Sequence, residues 1–118
     1  MKERDIQKAI LDWLFVKRVY ALRLNTGSGW ANGRLVEHHS GGKGVADIIA
    51  FPRFTRTQPG MQIKFDRPTV LWIEVKSPTG QQSQEQKSFE EHCAKYGMFY
   101  LLARSVDDVE FWFKERCQ

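Results

Sequence analysis

Two short apolar runs, each interrupted by a single acidic residue, constrain the fold of this chain more than any other feature. Residues 45–51 are apolar except for Asp47, and residues 70–75 are apolar except for Glu74. Apolar runs of this length are typical of strands that are buried on both faces. A carboxylate without a partner is costly to bury, so such an acid tends to mark a functional position. We therefore predict two buried strands that each carry one functional acid.

The second acid belongs to the tripeptide Glu74-Val75-Lys76. Side chains alternate along a strand, so the Glu74 carboxylate and the Lys76 ammonium point to one side and Val75 points to the other. With Asp47 on a neighbouring strand, two carboxylates and a lysine would surround a space that suits a hard divalent cation beside a phosphate. An isolated Glu-x-Lys is more often a surface ion pair. The position of Asp47 within an apolar run favours a magnesium-dependent nuclease site.

The bulk properties predict a single cytosolic domain over residues 1–118. The chain has 118 residues, a formal net charge of +4 and a pI near 9.2, a mild basic bias that suits a polyanionic partner. Cys93 and Cys117 have no spacing that suggests zinc, and we interpret both as reduced thiols. The charged, amphipathic N-terminus resembles neither a signal peptide nor a membrane helix.

The order of elements predicted from periodicity and capping signals is α-β-loop-β-β-α-β-α. The first helix covers residues 3–17, the first strand 19–25, and a glycine-rich basic loop with a short hairpin around residues 34–37 covers 26–44. The two acid-bearing strands follow at 45–51 and 70–75, separated by a surface excursion at 52–68. Ser83 caps a helix that ends at Gly97, residues 98–103 form a strand, and Ser105 caps the last helix.

Several motifs in these positions together resemble the VRR-NUC domains of the PD-(D/E)XK nuclease superfamily. The resemblance is carried by Glu3-x-x-Ile6-Gln7, Gly44-Val45-Ala46-Asp47-Ile48-Ile49, Glu74-Val75-Lys76, and then Gly80, Ser83 and Gln86. One departure is the absence of the proline that the family usually carries near the first acid. The resemblance implies an α/β restriction endonuclease-like fold, with a mixed central β-sheet flanked by helices, of the type that stands alone in phages and bacteria.

Hydrolysis of a phosphodiester requires an activated water, neutralisation of developing charge and help for the leaving oxygen. We assign Asp47 and Glu74 as ligands of Mg²⁺, which Mn²⁺ could replace, with the Val75 backbone carbonyl as a third ligand. Lys76 would orient or deprotonate the attacking water, or stabilise the phosphate. Glu3 would contact the metal directly or through water, although an acid in the first turn of a helix also interacts favourably with the helix dipole. The resemblance strengthens the assignment of Glu3.

Two glutamines and several basic side chains complete the predicted site. We assign Gln7 and Gln86 to groups that support the metal ligands or contact the phosphate. Predicted contacts to DNA phosphates are Arg23, Arg34, Lys43, Arg53 and Arg56. Trp30 could stack on an unpaired base or fold back on the core. We interpret His38 and His39 as surface residues without a catalytic role.

The predicted function is a divalent-metal-dependent DNA endonuclease. The family resemblance alone implies a preference for branched DNA, such as a Holliday junction or a flap, and a role in replication, repair or recombination. A small domain has little surface with which to hold duplex DNA, so a homodimer is expected, in the cytoplasm of a bacterial or phage-infected cell. Two alternatives stay open. One is a sequence-specific restriction-type endonuclease, and the other is a nucleic-acid-binding module without turnover.

Overall fold

A computed structural model describes residues 2–24, 28–31, 34–37, 43–57 and 64–116, and at residues 28–31, 34–37, 54–57 and 64–68 it describes the backbone alone. The elements are, in chain order, α1 (Glu3–Val16), β1 (Tyr20–Arg23), β2 (Ser28–Ala31), β3 (Arg34–Glu37), β4 (Ile48–Phe51), β5 (Arg53–Thr57), β6 (Lys64–Pro68), β7 (Leu71–Val75), α2 (Gln84–Lys95), β8 (Phe99–Ala103) and α3 (Val106–Arg116).

Strands β1, β4, β7 and β8 form one mixed sheet in the order β1-β4-β7-β8. The pairs β1/β4 and β4/β7 are antiparallel, whereas β7 and β8 are parallel. Parallel neighbours need a crossover connection, which α2 provides. The pairs β2/β3 and β5/β6 form two separate antiparallel hairpins. The predicted α/β fold with a mixed sheet flanked by helices is confirmed, and it is consistent with a restriction endonuclease-like fold.

One face of the sheet packs against α1 and α3, and the main core lies between these layers. In α1 the buried residues Ile6, Ile10 and Leu14 are four positions apart, so they form one apolar stripe. Burying an aliphatic side chain of this size contributes about 1.5–3 kcal/mol. The stripe packs against residues of β4, β7, β8 and α3, namely Ile48, Ala50, Leu71, Ile73, Val75, Ala103, Val109 and Trp112. This packing fixes α1 against the strands that carry the candidate site.

Helix α2 packs against the opposite face of the sheet through aromatic rings. The ring of Phe89 lies 5.0 Å from that of Trp72 on β7 and 6.2 Å from that of Tyr100 on β8, centroid to centroid. Cys93 of α2 is fully buried, and desolvation raises the pKa of its thiol to about 11. The thiolate is therefore disfavoured, and Cys93 is a free thiol, as predicted. Cys117 lies outside the described residues.

Helices α1 and α2 both end in the Schellman arrangement. After α2, Met98 donates its backbone N–H to the carbonyl of Cys93, and Gly97 adopts the left-handed conformation with φ 74°. After α1, Val19 donates to the carbonyl of Leu14, but the left-handed residue is Arg18, with φ 60°. A side chain makes this conformation costly, so the end of α1 is strained where the end of α2 is not.

The predicted order of elements lacks the strands of two hairpins, β2/β3, which the sequence analysis placed within a loop, and β5/β6, which it did not predict. The surface excursion predicted at residues 52–68 contains β5 and β6, two strands that the predicted order did not include. Most residues of β5 and β6 are polar or charged, so these strands lack the continuous apolar character of a buried strand. The short hairpin predicted around residues 34–37 is present, with β3 paired to β2.

One boundary prediction was wrong, and one strand face could not be predicted. Strand β4 begins at Ile48 rather than at residue 45, so Asp47 lies just before the strand and not inside it. On β1 the alternating apolar residues Tyr20 and Leu22 are 65% and 44% exposed, whereas Ala21 packs against the core. Alternation separates the two faces of a strand but does not identify the face that a helix covers.

Candidate active site

The start of α1, the start of α2, the residue before β4 and the end of β7 meet around one cleft of about 250 Å³. Its lining residues are Glu3, Arg4, Gln7, Asp47, Glu74, Val75, Lys76 and Gln86. The structure thus brings together all six side chains that the sequence analysis predicted as catalytic. Arg4 also lines the cleft, although the sequence analysis did not assign it to the site.

Asp47 is fixed beside β7 by backbone hydrogen bonds. Its Oδ2 accepts the backbone N–H of Val75 at 2.8 Å, and its own carbonyl accepts the N–H of Leu24 at 2.8 Å. Because Asp47 precedes β4, its side chain does not have to follow the alternating side-chain directions of that strand. It can therefore point toward β7. The carboxylate therefore has one oxygen held by the backbone and lies next to the Glu74-Val75-Lys76 segment.

Glu74 is the buried charged residue at the centre of the cleft, with only 2% of its surface exposed. Its Oε1 accepts a hydrogen bond from Gln86 Nε2 at 2.8 Å and lies 3.9 Å from Lys76 Nζ. Its Oε2 is buried and has no hydrogen-bond partner among the described residues. A buried polar atom without a partner is destabilising. The fold therefore keeps this acceptor at a cost in stability, and no group in the described chain donates a hydrogen bond to it.

The surroundings of Glu74 oppose its ionisation when no cation is bound. The pKa of Glu74 is raised from the ordinary 4.5 to about 8, chiefly by burial and next by the negative charge of Asp47. Lys76 lowers the pKa and only partly compensates, while Glu3 raises it further. The nearby side chain of Asp47 thus favours the protonated form of Glu74. A divalent cation held by Asp47 and Glu74 would reverse this effect, because it favours the ionised form of each carboxylate.

Gln86 has two structural roles at once. Its Oε1 accepts the backbone N–H of Ser83 at 2.8 Å, while the Ser83 hydroxyl accepts the backbone N–H of Gln86 at 3.1 Å. This is the predicted capping box, and it fixes the amide so that the Nε2 group faces Glu74. Gln86 therefore helps to cap the start of α2 and at the same time orients the Glu74 carboxylate, the supporting role that the sequence analysis predicted.

Gly44 allows the start of α2 to approach the segment that carries Asp47. It adopts φ 84°, and a Cβ at this position would collide with the backbone carbonyl of Glu85 in the first turn of α2. Any side chain would push α2 away and displace Gln86 from Glu74. The requirement for glycine in the Gly44-Val45-Ala46-Asp47 motif thus has a steric cause.

A divalent metal fits this donor set. Among the described residues no group of three or more His, Cys, Asp or Glu side chains is arranged to hold a metal. Mg²⁺, however, retains several waters and is commonly held by one or two carboxylates together with substrate phosphate oxygens. Asp47 and the unsatisfied Oε2 of Glu74 supply such a pair, and Glu3 is near enough to affect the pKa of Glu74.

Comparison with known proteins agrees with this geometry. The sequence model of the VRR-NUC domain matches residues 1–107. This chain belongs to the VRR-NUC family. Neither the curated proteins nor the solved structures compared with it contain a match. Membership implies a nuclease that binds DNA. No helix in the described part of the chain is long and apolar enough to cross a membrane.

The VRR-NUC domain does not bring all of the predicted DNA-contacting residues to the cleft. Lys43 lines an adjoining cavity of about 270 Å³, and Arg23 ends β1 opposite Ile48, close to Asp47. Arg53 instead lines a cavity between α1 and α3, beyond the far end of β4 from Asp47. The side chains of Trp30, Arg34 and Arg56, for which DNA contacts were predicted, lie outside the described part of the structure. The same is true of His38 and His39.

Arg104 is a further residue of the VRR-NUC domain that the sequence analysis missed. Its Nη1 donates to the carbonyls of Ser77 and Gly80, both at 2.7 Å. Its backbone N–H donates to Asp108 at the start of α3. Arg104 thereby supports the turn that follows Lys76 and leads to α2. A lone arginine after a strand has no distinguishing pattern, so no sequence signal pointed to this role.

Proposed function

We propose that this VRR-NUC domain is a divalent-metal-dependent DNA endonuclease, with Mg²⁺ as the metal and Mn²⁺ as a substitute. Asp47 and Glu74 hold the metal, with the Val75 carbonyl and Glu3 as further oxygen ligands, the latter directly or through water. The observation that carries the proposal is the buried Oε2 of Glu74, which lacks a hydrogen-bond partner in the described chain beside a second carboxylate. A protein that only bound DNA would have no use for this arrangement, because negative charges repel phosphates.

A metal held by Asp47 and Glu74 would supply positive charge at the phosphate and would lower the pKa of a coordinated water. The protein supplies orientation. Gln86 holds Oε1 of Glu74, and the Val75 N–H holds Oδ2 of Asp47, so each carboxylate keeps its other oxygen for the metal. A water adds to phosphorus, one P–O ester bond breaks, and the products are a phosphate monoester and an alcohol.

Lys76 provides the positive side chain nearest to the buried acid, 3.9 Å from Glu74 Oε1. Its side chain is 13% exposed, so its charge acts in surroundings with little water, where electrostatic interactions are stronger. In this role Lys76 orients the attacking water or stabilises the negative charge that develops on the phosphate. Gln7 lines the same cleft and would contact the metal-bound water or the phosphate.

The preferred substrate in this proposal is branched DNA, such as a Holliday junction or a flap, cut by a homodimer. The support is the family resemblance together with the small surface of a 118-residue chain. Replication, repair or recombination in the cytoplasm of a bacterial or phage-infected cell would then be the biological setting.

The experiment has two parts. Mn²⁺ binding to wild type and Asp47→Asn is measured by calorimetry, and cleavage of labelled DNA is measured with Mg²⁺, Mn²⁺ or EDTA. The DNA panel contains a four-way junction, a flap, a single strand and a linear duplex. The exposed Glu91 of α2 provides the control variant Glu91→Gln, which removes one acid outside the cleft.

The proposal predicts metal binding and metal-dependent cutting in wild type and Glu91→Gln, both at least about 10-fold weaker in Asp47→Asn. Preferential cutting of the junction or flap would support structure selectivity. Cutting of a linear duplex at one defined motif would instead identify a restriction-type endonuclease. Folded wild type that binds DNA but cuts nothing with either metal would contradict the catalytic proposal and favour a binding module.

A further inference from the structure

Two cavities adjoin at the candidate metal site. The catalytic cleft and the cavity that contains Lys43 share Asp47 and Gln86 in their linings. The first extends from these residues toward the start of α1, and the second extends toward the start of α2. The two cavities therefore lie side by side, and the shared residues Asp47 and Gln86 lie where they adjoin. A DNA strand that crosses the metal site would therefore extend into one cavity on each side of it.

Each cavity has a basic residue that the catalytic assignments do not use. Arg4 lines the cleft on the α1 side, and Lys43 lines the cavity on the α2 side. From this arrangement we infer that Arg4 binds a backbone phosphate of the DNA strand, next to the scissile phosphate and on the side opposite Lys43. The inference rests on the proposed nuclease function and adds a direction for the strand across the site.

The position of Arg4 is not explained by the stability of the fold. It is exposed, and it makes no ion pair or hydrogen bond with the described part of the chain. It lies in the first turn of α1, where the positive end of the helix dipole disfavours a cation. The N-cap residue, Lys2, provides no side-chain hydrogen bond. The three acids in or beside the site repel DNA unless positive charge compensates for them. Arg4 provides a positive charge in the cleft through which the DNA backbone must pass.

Arginine suits this role because its planar guanidinium can donate two parallel hydrogen bonds to a phosphate. Such contacts position a nucleic acid without reading its sequence, which agrees with an enzyme that acts on the backbone. The same helix offers a matched control. Lys8 is also exposed, but it does not line either cavity and is paired with Asp12 at 3.2 Å.

The experiment combines protein variants with DNA in which single phosphates are neutral. Each phosphate near the cut site is replaced in turn by a methylphosphonate, which removes its charge. Cleavage rates and equilibrium binding are measured for wild type, Arg4→Gln, Lys43→Gln and Lys8→Gln. If one side chain contacts one phosphate, the losses caused by the protein variant and by the neutral phosphate are not additive. Either change alone already removes the contact, so the second change has no further effect on it.

We expect Arg4→Gln to lower DNA affinity or the cleavage rate by about 10- to 100-fold. At one position on one side of the cut, a neutral phosphate should cause no further loss in this variant. Lys43→Gln should be insensitive at a position on the other side, and Lys8→Gln should behave as wild type. Additive losses at every position for Arg4→Gln, or coupling of Arg4 and Lys43 to the same side, would overturn the inference.

The binding measurement separates this inference from the proposed function. If wild type binds DNA but does not cut it, the nuclease proposal fails, and the binding data still show whether Arg4 is coupled to a single phosphate. If wild type cuts and Arg4→Gln shows no coupling, the inference fails and the nuclease proposal stands.

Discussion

Replacing Glu74 by glutamine should stabilise the metal-free protein, and the gain should grow as the pH rises. The pKa of this carboxyl is about 8 in the folded protein, against an ordinary value of 4.5. Below the lower value both folded and unfolded chains hold the proton, and no penalty exists. Between the two values the unfolded chain ionises while the folded chain retains its proton, so the wild type loses stability as pH increases.

The magnitude follows from the size of this shift. One pKa unit corresponds to about 1.4 kcal/mol, so the penalty reaches about 3 kcal/mol at about pH 7 and about 5 kcal/mol at about pH 9. Glu74 is 2% exposed, so solvent screens this penalty little. Glutamine has nearly the same shape, can still accept the hydrogen bond from Gln86, and carries no charge. The variant should therefore be more stable by this amount, and only near pH 4 should the two proteins be alike.

Urea unfolding in EDTA between about pH 4 and 9 measures the difference directly, because other titrating groups affect both proteins equally. Glu91→Gln is the control, since it makes the same chemical change at an exposed position. Its free energy of unfolding should run parallel to that of wild type. Added Mg²⁺ should stabilise wild type and not Glu74→Gln. Parallel curves for wild type and Glu74→Gln across the whole pH range would refute this account of the buried acid.

Other predictions concern the supports of the site. Gly44→Ala should lower the free energy of unfolding by about 2–4 kcal/mol and weaken metal binding in calorimetry. At Gly97 a Cβ would contact nothing, so Gly97→Ala should lower the free energy of unfolding by about 1 kcal/mol and leave metal binding unchanged. Equal effects of the two variants would contradict the proposed contact with Glu85. Arg18→Gly should stabilise the protein by up to about 1 kcal/mol in urea unfolding, because it relieves the left-handed residue after α1. Arg104→Gln should destabilise by about 2 kcal/mol and slow cleavage, and unchanged stability would exclude a supporting role.

The sequence predicted the members of the site better than their arrangement. Apolar runs and the Glu-x-Lys alternation located Glu74 and Lys76 because strand geometry fixes which side chains share a face. The capping signal at Ser83 located the start of α2 and, with it, Gln86. The position of Asp47 before β4, by contrast, depends on the hydrogen bond to Val75, which is a long-range contact. Local patterns contain no information about such contacts.

Features that depend on packing between distant segments were missed for the same reason. Arg4 appears on the sequence as a residue of the exposed helix face, and only the meeting of α1 with β7 brings it to the cleft. Arg104 acts through two carbonyls whose positions no side-chain pattern encodes. The exposed side of β1 could not be assigned from the sequence, because alternation in Tyr20 and Leu22 does not show where α1 packs.

The central claim is that Asp47 and Glu74 hold a metal that cleaves DNA, and one measurement tests it most directly. The rate of cutting of labelled DNA is measured in Mg²⁺ for wild type, Glu74→Gln and Glu91→Gln, after unfolding experiments have shown that all three are folded. The account predicts that wild type and Glu91→Gln cut at equal rates, that EDTA stops both, and that Glu74→Gln is slower by at least about 100-fold. Equal cutting by Glu74→Gln, or cutting by wild type that persists in EDTA, would contradict it.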